Sequence, residues 1–230
     1  MKQLAWQQIP SPVISELLCN VGLDGVVIDT EHGFFDNQTL FSCIQIIDMC
    51  KKLCYVRVTE PNKTLVRACL DAGADGIIFS TVESEEQCRL IHDMCKYPRY
   101  GGKRGLGLVR QNLWGNDATG LVGHPPKIIA QIETIEGVIN IDTIASYDFD
   151  YYMIGPYDLS ASLGIPAEFE NPAYMDAVEK VKEHIAVHEM AVHIPTDVKN
   201  QLKKYDGYGM IAVGMDTTGL LQFYRELINA

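Results

Sequence analysis

Residues 53–79 read LCYVRVTEPNKTLVRACLDAGADGIIF, and this stretch decides the fold. Leu53 to Val58 and Gly76 to Phe79 are short runs of mostly apolar, β-branched or aromatic residues. A strand with one wet face alternates polar and apolar positions, so runs this uniform belong to strands covered on both faces. Between them, NKTLVRACLDAG carries apolar residues at helical spacing, and Gly73 stands where that helix should stop. The order strand, helix, strand makes a parallel β/α unit.

The same rhythm continues outward in both directions. Further strand-like runs are Gln3 to Trp6, Gly25 to Asp29, Lys127 to Ile132, Tyr151 to Ile154, Met190 to Ile194 and Met210 to Val213, with helical patterns such as NQTLFSCIQIIDMC and SEEQCRLIHDMC between them. Gly22 is expected to end the first helix and Asn37 to cap the second, and Ser84 with Gln87 resembles a capping box. Eight strands in one chain predict an α/β fold, a (β/α)8 TIM barrel spanning 1–230 as a single catalytic domain, because closure removes both sheet edges. An open doubly wound sheet is the alternative. Residues 97–126 are too glycine-rich and broken for one regular helix and predict a long functional loop after the fourth strand.

Composition narrows the function. With 30 acidic against 19 basic residues the formal net charge is −11, and no basic stripe appears. Phosphate-backbone binding needs clustered Lys and Arg, so nucleic acid is not the expected partner. The seven cysteines form no CxxC pair and read as reduced, mostly buried thiols. The opening MKQLAWQQIPSPVISELL lacks a basic region followed by a long apolar run. A cytoplasmic protein with no membrane contact is expected.

In a barrel, chemistry collects where strands leave their C-terminal ends. The second strand ends in DTEHG, placing Asp29, Glu31 and His32 together; His32 is a candidate general base, and Asp29 is expected to orient its ring. In LCYVRV, alternation sends Val56 and Val58 to one side and Arg57 to the other. A buried arginine stays charged and needs an anion, so Arg57 facing the mouth would clamp a carboxylate; facing the helices, it would pair with a helical acid. Gln131 and Glu133 share one face of KIIAQIET and are costly to desolvate without a partner, either a cation, a substrate or Arg57 itself. In YYMIGPYDLS, Asp158 follows the break at Gly155 and Pro156, where backbone N–H groups around Tyr157 can receive a carboxylate; the plain alternative is a helix cap. Glu133 and Asp158 come from adjacent strands and can converge on one cation. Carboxylate, carboxamide and water ligands suit Mg2+ or Mn2+ better than a structural zinc site. GGKRGLG at 101–107 lacks the ending and strand context of a phosphate loop; its Arg104 either closes over the mouth or anchors the loop. Asp216 is expected to cap the last helix.

Taken in order, DGVVIDTEHG, YVRV, LDAGADGI, GKRGLG, IAQIET and IGPYDLSASLG, and more loosely IAVGMD, resemble the HpcH/HpaI aldolase family of metal-dependent class II pyruvate aldolases. The resemblance implies a homo-oligomeric barrel, often a trimer of dimers, that cleaves a 4-hydroxy-2-oxo acid reversibly to pyruvate and an aldehyde through a pyruvate enolate. It implies Glu133 and Asp158 as ligands of Mg2+ or Mn2+, with Co2+ or Zn2+ also able to serve. Arg57 would hold the pyruvyl oxygens, His32 would act as base with Asp29 in support, and Gln131 would position the ligand. Asp71 matches an acid that reaches a neighbouring subunit's site. Similar barrels decarboxylate oxaloacetate-type acids, and a noncatalytic ligand-binding barrel is a further alternative. Three departures stand out: Phe79, Ser80, Thr81 and Val82 replace a proline-containing segment, the region between Arg110 and Lys127 is short, and so is the tail after Asp216. They bear on aldehyde specificity and oligomer size. No lysine stands at a strand exit, since Lys127 begins its strand, and this argues against Schiff-base chemistry.

Overall fold

The computed structural model describes residues 1–117 and 125–229. Eight parallel strands close into a barrel in sequence order: β1 (Lys2–Gln7), β2 (Gly25–Asp29), β3 (Leu53–Val58), β4 (Gly76–Phe79), β5 (Lys127–Ile132), β6 (Tyr151–Ile154), β7 (Met190–Ile194) and β8 (Met210–Val213). The helices among the described residues are α1 (Pro12–Cys19), α2 (Asn37–Met49), α3 (Lys63–Ala72), α4 (Glu85–Cys95), α5 (Ile135–Ile139), α6 (Ile141–Ala145), α7 (Pro156–Ser162), α8 (Pro172–His184), α9 (Val198–Gln201) and α10 (Asp216–Ile228).

Alternation along each strand makes two cores. Outward residues such as Val26, Ile28, Val56, Val58 and Ile77 pack with Ile44 and Ile47 of α2 and Leu70 of α3. Inward residues, among them Leu4, Trp6, Val27, Tyr55, Ile78 and Ile129, fill the barrel. Each large side chain removed from water contributes about 1.5–3 kcal/mol, and together these offset the entropy of ordering the chain. The eighth strand pairs with the first, Ala5 opposite Val213, and the Asp216 carboxylate locks that seam by accepting from the backbone N–H groups of Gln8 and Ile9, both at 2.9 Å.

Local signals held at most helix ends. Gly73 closes α3 in the left-handed region at φ +109°, and Ser84 and Gln87 form the reciprocal capping box of α4. Three expectations need correction. The cap of α2 is Asp36, whose carboxylate accepts from Gln38 and Thr39, because an aspartate one residue earlier reaches both orphan amides. Helix α1 ends at Cys19 with Asn20 as its cap, so Gly22 lies in the following turn. Met215 caps α10, since the Asp216 side chain is engaged with β1's exit. Residues 98–100 and 110–115 of the long loop form short 3₁₀ turns; its residues 118–124 lie outside the described residues.

Candidate active site

At the C-terminal ends of the strands lies a cavity of about 400 Å³, bordered by Arg57, Gln131, His32, Gly155, Pro156, Tyr157 and Asp158 on one side and by Trp6, Gln8, His193, Thr196 and Thr218 on the other. The strand register brings its charged groups together. Asp29 sits opposite Arg57 across β2 and β3, and both are buried.

Arg57 faces the mouth. Its Nε donates to Asp29 Oδ1 at 2.9 Å and its Nη2 to Asp29 Oδ2 at 2.7 Å, a bidentate fork. Its Nη1 lies 2.7 Å from Glu31 Oε2. Burial alone would raise the Asp29 carboxyl, but the bonds and charge of Arg57, with donors from Gln8 and Trp6, hold it down at about 2. These contacts correct the expected role of Asp29. Its carboxylate is spent on the guanidinium, which outcompetes a neutral imidazole, and it meets only the backbone N–H of His32, at 3.4 Å. The His32 ring borders the cavity without a hydrogen-bond partner among the described residues.

Glu133 lies just past β5, buried at 3% exposure. Its Oε1 accepts from the Thr81 backbone N–H at 2.8 Å and from Thr81 Oγ1 at 2.7 Å, and its Oε2 accepts from Gln131 Nε2. Thr81 belongs to the segment that departs from the family pattern, and its φ of +54° aims both donors at this one oxygen. Burial pushes the Glu133 carboxyl up, Thr81 opposes that, and the nearby charges of Glu31 and Asp158 raise it further. The Oε1 of Gln131 is buried without a hydrogen-bond partner. A carboxyl strained by two acidic neighbours beside an orphaned carboxamide oxygen is a hard-oxygen donor set that fits a divalent cation. No group of three or more His, Cys, Asp or Glu side chains stands at metal-holding spacing among the described residues, so this set would leave part of the shell to water or substrate. Gly155 makes room for it: a Cβ there would overlap the Glu133 carboxylate and come within 2.9 Å of Gln131 Nε2.

Other expected residues lie elsewhere. Arg104 anchors its loop, donating from Nη2 to Asp71 at 2.8 Å and to Gln111 at 2.9 Å, with its guanidinium 4.6 Å from the Tyr97 ring centre. Asp71 is held by Arg104 and Arg67 and does not border this chain's own cavity. Asp158 stands inside the first turn of α7, whose cap is Gly155. All seven cysteines are unpaired and none borders the cavity. Sequence reasoning missed Trp6, Gln8, His193, Thr196 and Thr218.

This arrangement has counterparts. Residues 2–222 match the sequence profile of HpcH/HpaI aldolase/citrate lyase. The chain belongs to the HpcH/HpaI family. It is 29% identical to a 4-hydroxy-2-oxovalerate aldolase of Rhodococcus jostii over 92% of this chain and 84% of that protein. It is also 29% identical to a hydroxypyruvate/pyruvate aldolase of Pseudomonas aeruginosa, over 96% and 85% of the two chains. The crystal structure of an HpcH/HpaI aldolase/citrate lyase family protein from Burkholderia cenocepacia superposes with a TM-score of 0.89 at 25% identity, covering 99% of this chain and 93% of that one. HpcH/HpaI membership makes the chain an enzyme of the aldolase and lyase class, and the cavity at its strand ends is where such chemistry fits.

Proposed function

We propose that this HpcH/HpaI protein is a class II pyruvate aldolase, reversibly cleaving a 4-hydroxy-2-oxo acid to pyruvate and an aldehyde through a pyruvate enolate. The observation that carries the reading is the crowding of acids at one barrel mouth, where Asp29 and Glu31 share the Arg57 guanidinium and the buried Glu133 carboxyl feels the charges of Glu31 and Asp158. That excess of negative charge calls for a dication, and its oxygen donors favour Mg2+ or Mn2+ over Co2+ or Zn2+.

Glu133 and Asp158 would hold the cation, and the Gln131 oxygen would orient the ligand. When bound, the cation supplies Lewis-acid polarisation of the 2-oxo group and offsets developing negative charge. Arg57 binds the pyruvyl oxygens with the N–H groups left free by its acidic partners, and stabilises the enolate electrostatically. Backbone N–H groups at Tyr157 and Asp158, beyond Gly155 and Pro156, receive the substrate carboxylate. His32 accepts the proton of the C4 hydroxyl; the C3–C4 bond breaks, its electrons remain on the pyruvyl half as enolate, and the aldehyde departs. The proton that His32 took is returned, directly or through water, to C3 of the enolate, which completes pyruvate and restores the base. Asp29 keeps Arg57 and the His32 turn in place.

A homo-oligomer, on the pattern of a trimer of dimers, is part of the reading, with Asp71 contributed to a neighbouring subunit's site. Support comes from α10, which leaves Leu220, Phe223, Tyr224 and Leu227 exposed. No helix among the described residues is long and apolar enough to cross a membrane, and with seven unpaired thiols the proposed setting is the cytoplasm.

Chelation followed by metal add-back tests the proposal. Pyruvate and aldehyde condensation is expected to vanish with chelator, to return with Mg2+ or Mn2+, and to stay absent in Glu133→Ala under both conditions. Turnover that survives exhaustive chelation, or a borohydride-trapped pyruvate adduct, overturns it.

A further inference from the structure

The cavity has two chemically distinct walls. The wall of β2, β3, β5 and β6 carries its charge. The remaining wall, from β1, β7 and β8, contributes Trp6, Gln8, His193, Thr196 and Thr218 and no charged side chain; it meets the charged wall where Trp6 and Gln8 donate to Asp29 and the Arg57 guanidinium lies 4.8 Å from the Trp6 ring centre. Asp216 stands nearby, but its carboxylate is taken by the amides of Gln8, Ile9 and Thr217. Arg57 is the cavity's one cationic side chain among the described residues, and the pyruvyl oxygens occupy it in the proposed reading, so none is left for a carboxylate on the aldehyde half.

His193 is the fixed point of the uncharged wall. Its ring stacks on Trp6 with centroids 4.0 Å apart and planes within 9°. Its Nε2 lies 2.9 Å from the carbonyl oxygen of Gly214. A carbonyl only accepts, so Nε2 carries the proton and Nδ1 of the neutral ring is a bare lone pair. Nδ1 has no protein partner among the described residues, on a ring that borders the cavity. Partial burial pushes this imidazole down to about 4, against the pull of the Gly214 bond and with help from the Arg57 charge, which keeps the ring neutral and accepting. Stack and carbonyl together fix both plane and rotation, so the acceptor is preorganised and costs a ligand little to engage.

The geometry points to His193 as a specificity residue that accepts a hydrogen bond from a hydroxyl on the aldehyde half of the substrate, selecting uncharged, hydroxylated aldehydes. This rests on the aldolase reading, which assigns the charged wall to the pyruvyl half. Thr196 extends the same wall with its hydroxyl, and Thr218, whose hydroxyl donates to the Pro195 and Met215 carbonyls, adds a further acceptor for a polyol chain. A carboxylated aldehyde finds no cation here, and an unsubstituted one leaves Nδ1 unpaired when water is displaced, the situation that gives hydrogen-bonding sites their discrimination.

Two measurements test it. Glycolaldehyde and propanal differ by hydroxyl against methyl and are compared as partners for pyruvate in the metal-loaded enzyme. The wild-type kcat/KM ratio is expected to favour glycolaldehyde, and His193→Phe, which keeps a ring against Trp6, to lower that ratio by roughly ten- to a hundredfold. A ratio that the variant leaves unchanged, or a wild-type preference for succinic semialdehyde, overturns the assignment. Independently of the variant, the 15N resonance of His193 Nδ1 is read in wild-type protein holding either the glycolaldehyde or the acetaldehyde adduct of pyruvate. An upfield shift with the first alone supports the proposal, and equal shifts or a protonated Nδ1 refute it. If no aldehyde condenses at all, the aldolase reading fails while the resonance still decides what His193 binds.

Discussion

Arg57 has five N–H groups, and the protein engages three of its nitrogens: Nε and Nη2 by hydrogen bonds to Asp29, Nη1 by an ion pair with Glu31. One hydrogen on each Nη is left to aim at a ligand, so a single side chain is both buttressed from behind and open in front. Lysine brings one point charge and cannot satisfy two acids and a substrate at once. Arg57→Lys is therefore expected to weaken pyruvate binding by tenfold or more, with the Kd read by calorimetry in the presence of metal; an unchanged Kd removes Arg57 from the substrate's contacts. Arg57, Gln131 and Glu133 were legible in the sequence, because each is a polar residue on the inward parity of an otherwise apolar strand. Trp6 shares the parity of Leu4, and His193 that of Ala191, so the same rule applied to them. They escaped notice because their role is a contact between strands at opposite ends of the chain, and no local pattern announces a stack.

At the level of elements, the eight strands matched their apolar runs within one residue at each end, since a strand buried on both faces writes a continuous apolar segment. Helix ends were less legible. Asp36 and Asn37 are both good caps, and only the path of the incoming chain selects the aspartate. Residues 97–126 gave a composition without a conformation, and neither the 3₁₀ turns nor Arg104's ties to Asp71 and Tyr97 follow from it. The exit of β6 shows what one atom of space can decide. Gly155 has an ordinary φ of −94°, so its glycine serves the neighbouring side chains, not the backbone. Gly155→Ala is expected to drive the Glu133 carboxylate from its position and weaken metal binding at least tenfold, while the far-ultraviolet circular dichroism stays that of the wild type. Metal affinity equal to wild type would mean that Glu133 can move aside without leaving the cation's shell.

For the whole molecule, two carboxyls pull stability in opposite directions with pH. Asp29, held at about 2 against an ordinary 3.8, contributes stability above that ordinary value and loses it as pH falls toward 2. Glu133 is raised from an ordinary 4.5, so its contribution is present below that value and is lost as pH rises through its elevated range. On the proposed reading, a bound dication would relieve Glu133 at neutral pH and compete with its proton in acid. Saturating Mg2+ or Mn2+, at about a hundred times Kd, is expected to raise the Tm by roughly 5–10 °C at neutral pH. The gain should shrink as the solution is acidified through the range where Glu133 protonates. A metal-induced rise in Tm that is flat with pH would place the cation on groups other than this carboxylate.

The bolt at Asp216 also governs how the molecule comes into being. Because its carboxylate seizes the amides of Gln8 and Ile9, and β1 pairs with β8, the seam cannot form until β8 and Asp216 have been synthesised. Until then the nascent chain carries an unsealed parallel sheet with two unpaired borders. That interval, which the pairing of β8 with β1 ends, is when shielding by a holdase chaperone is expected to matter most.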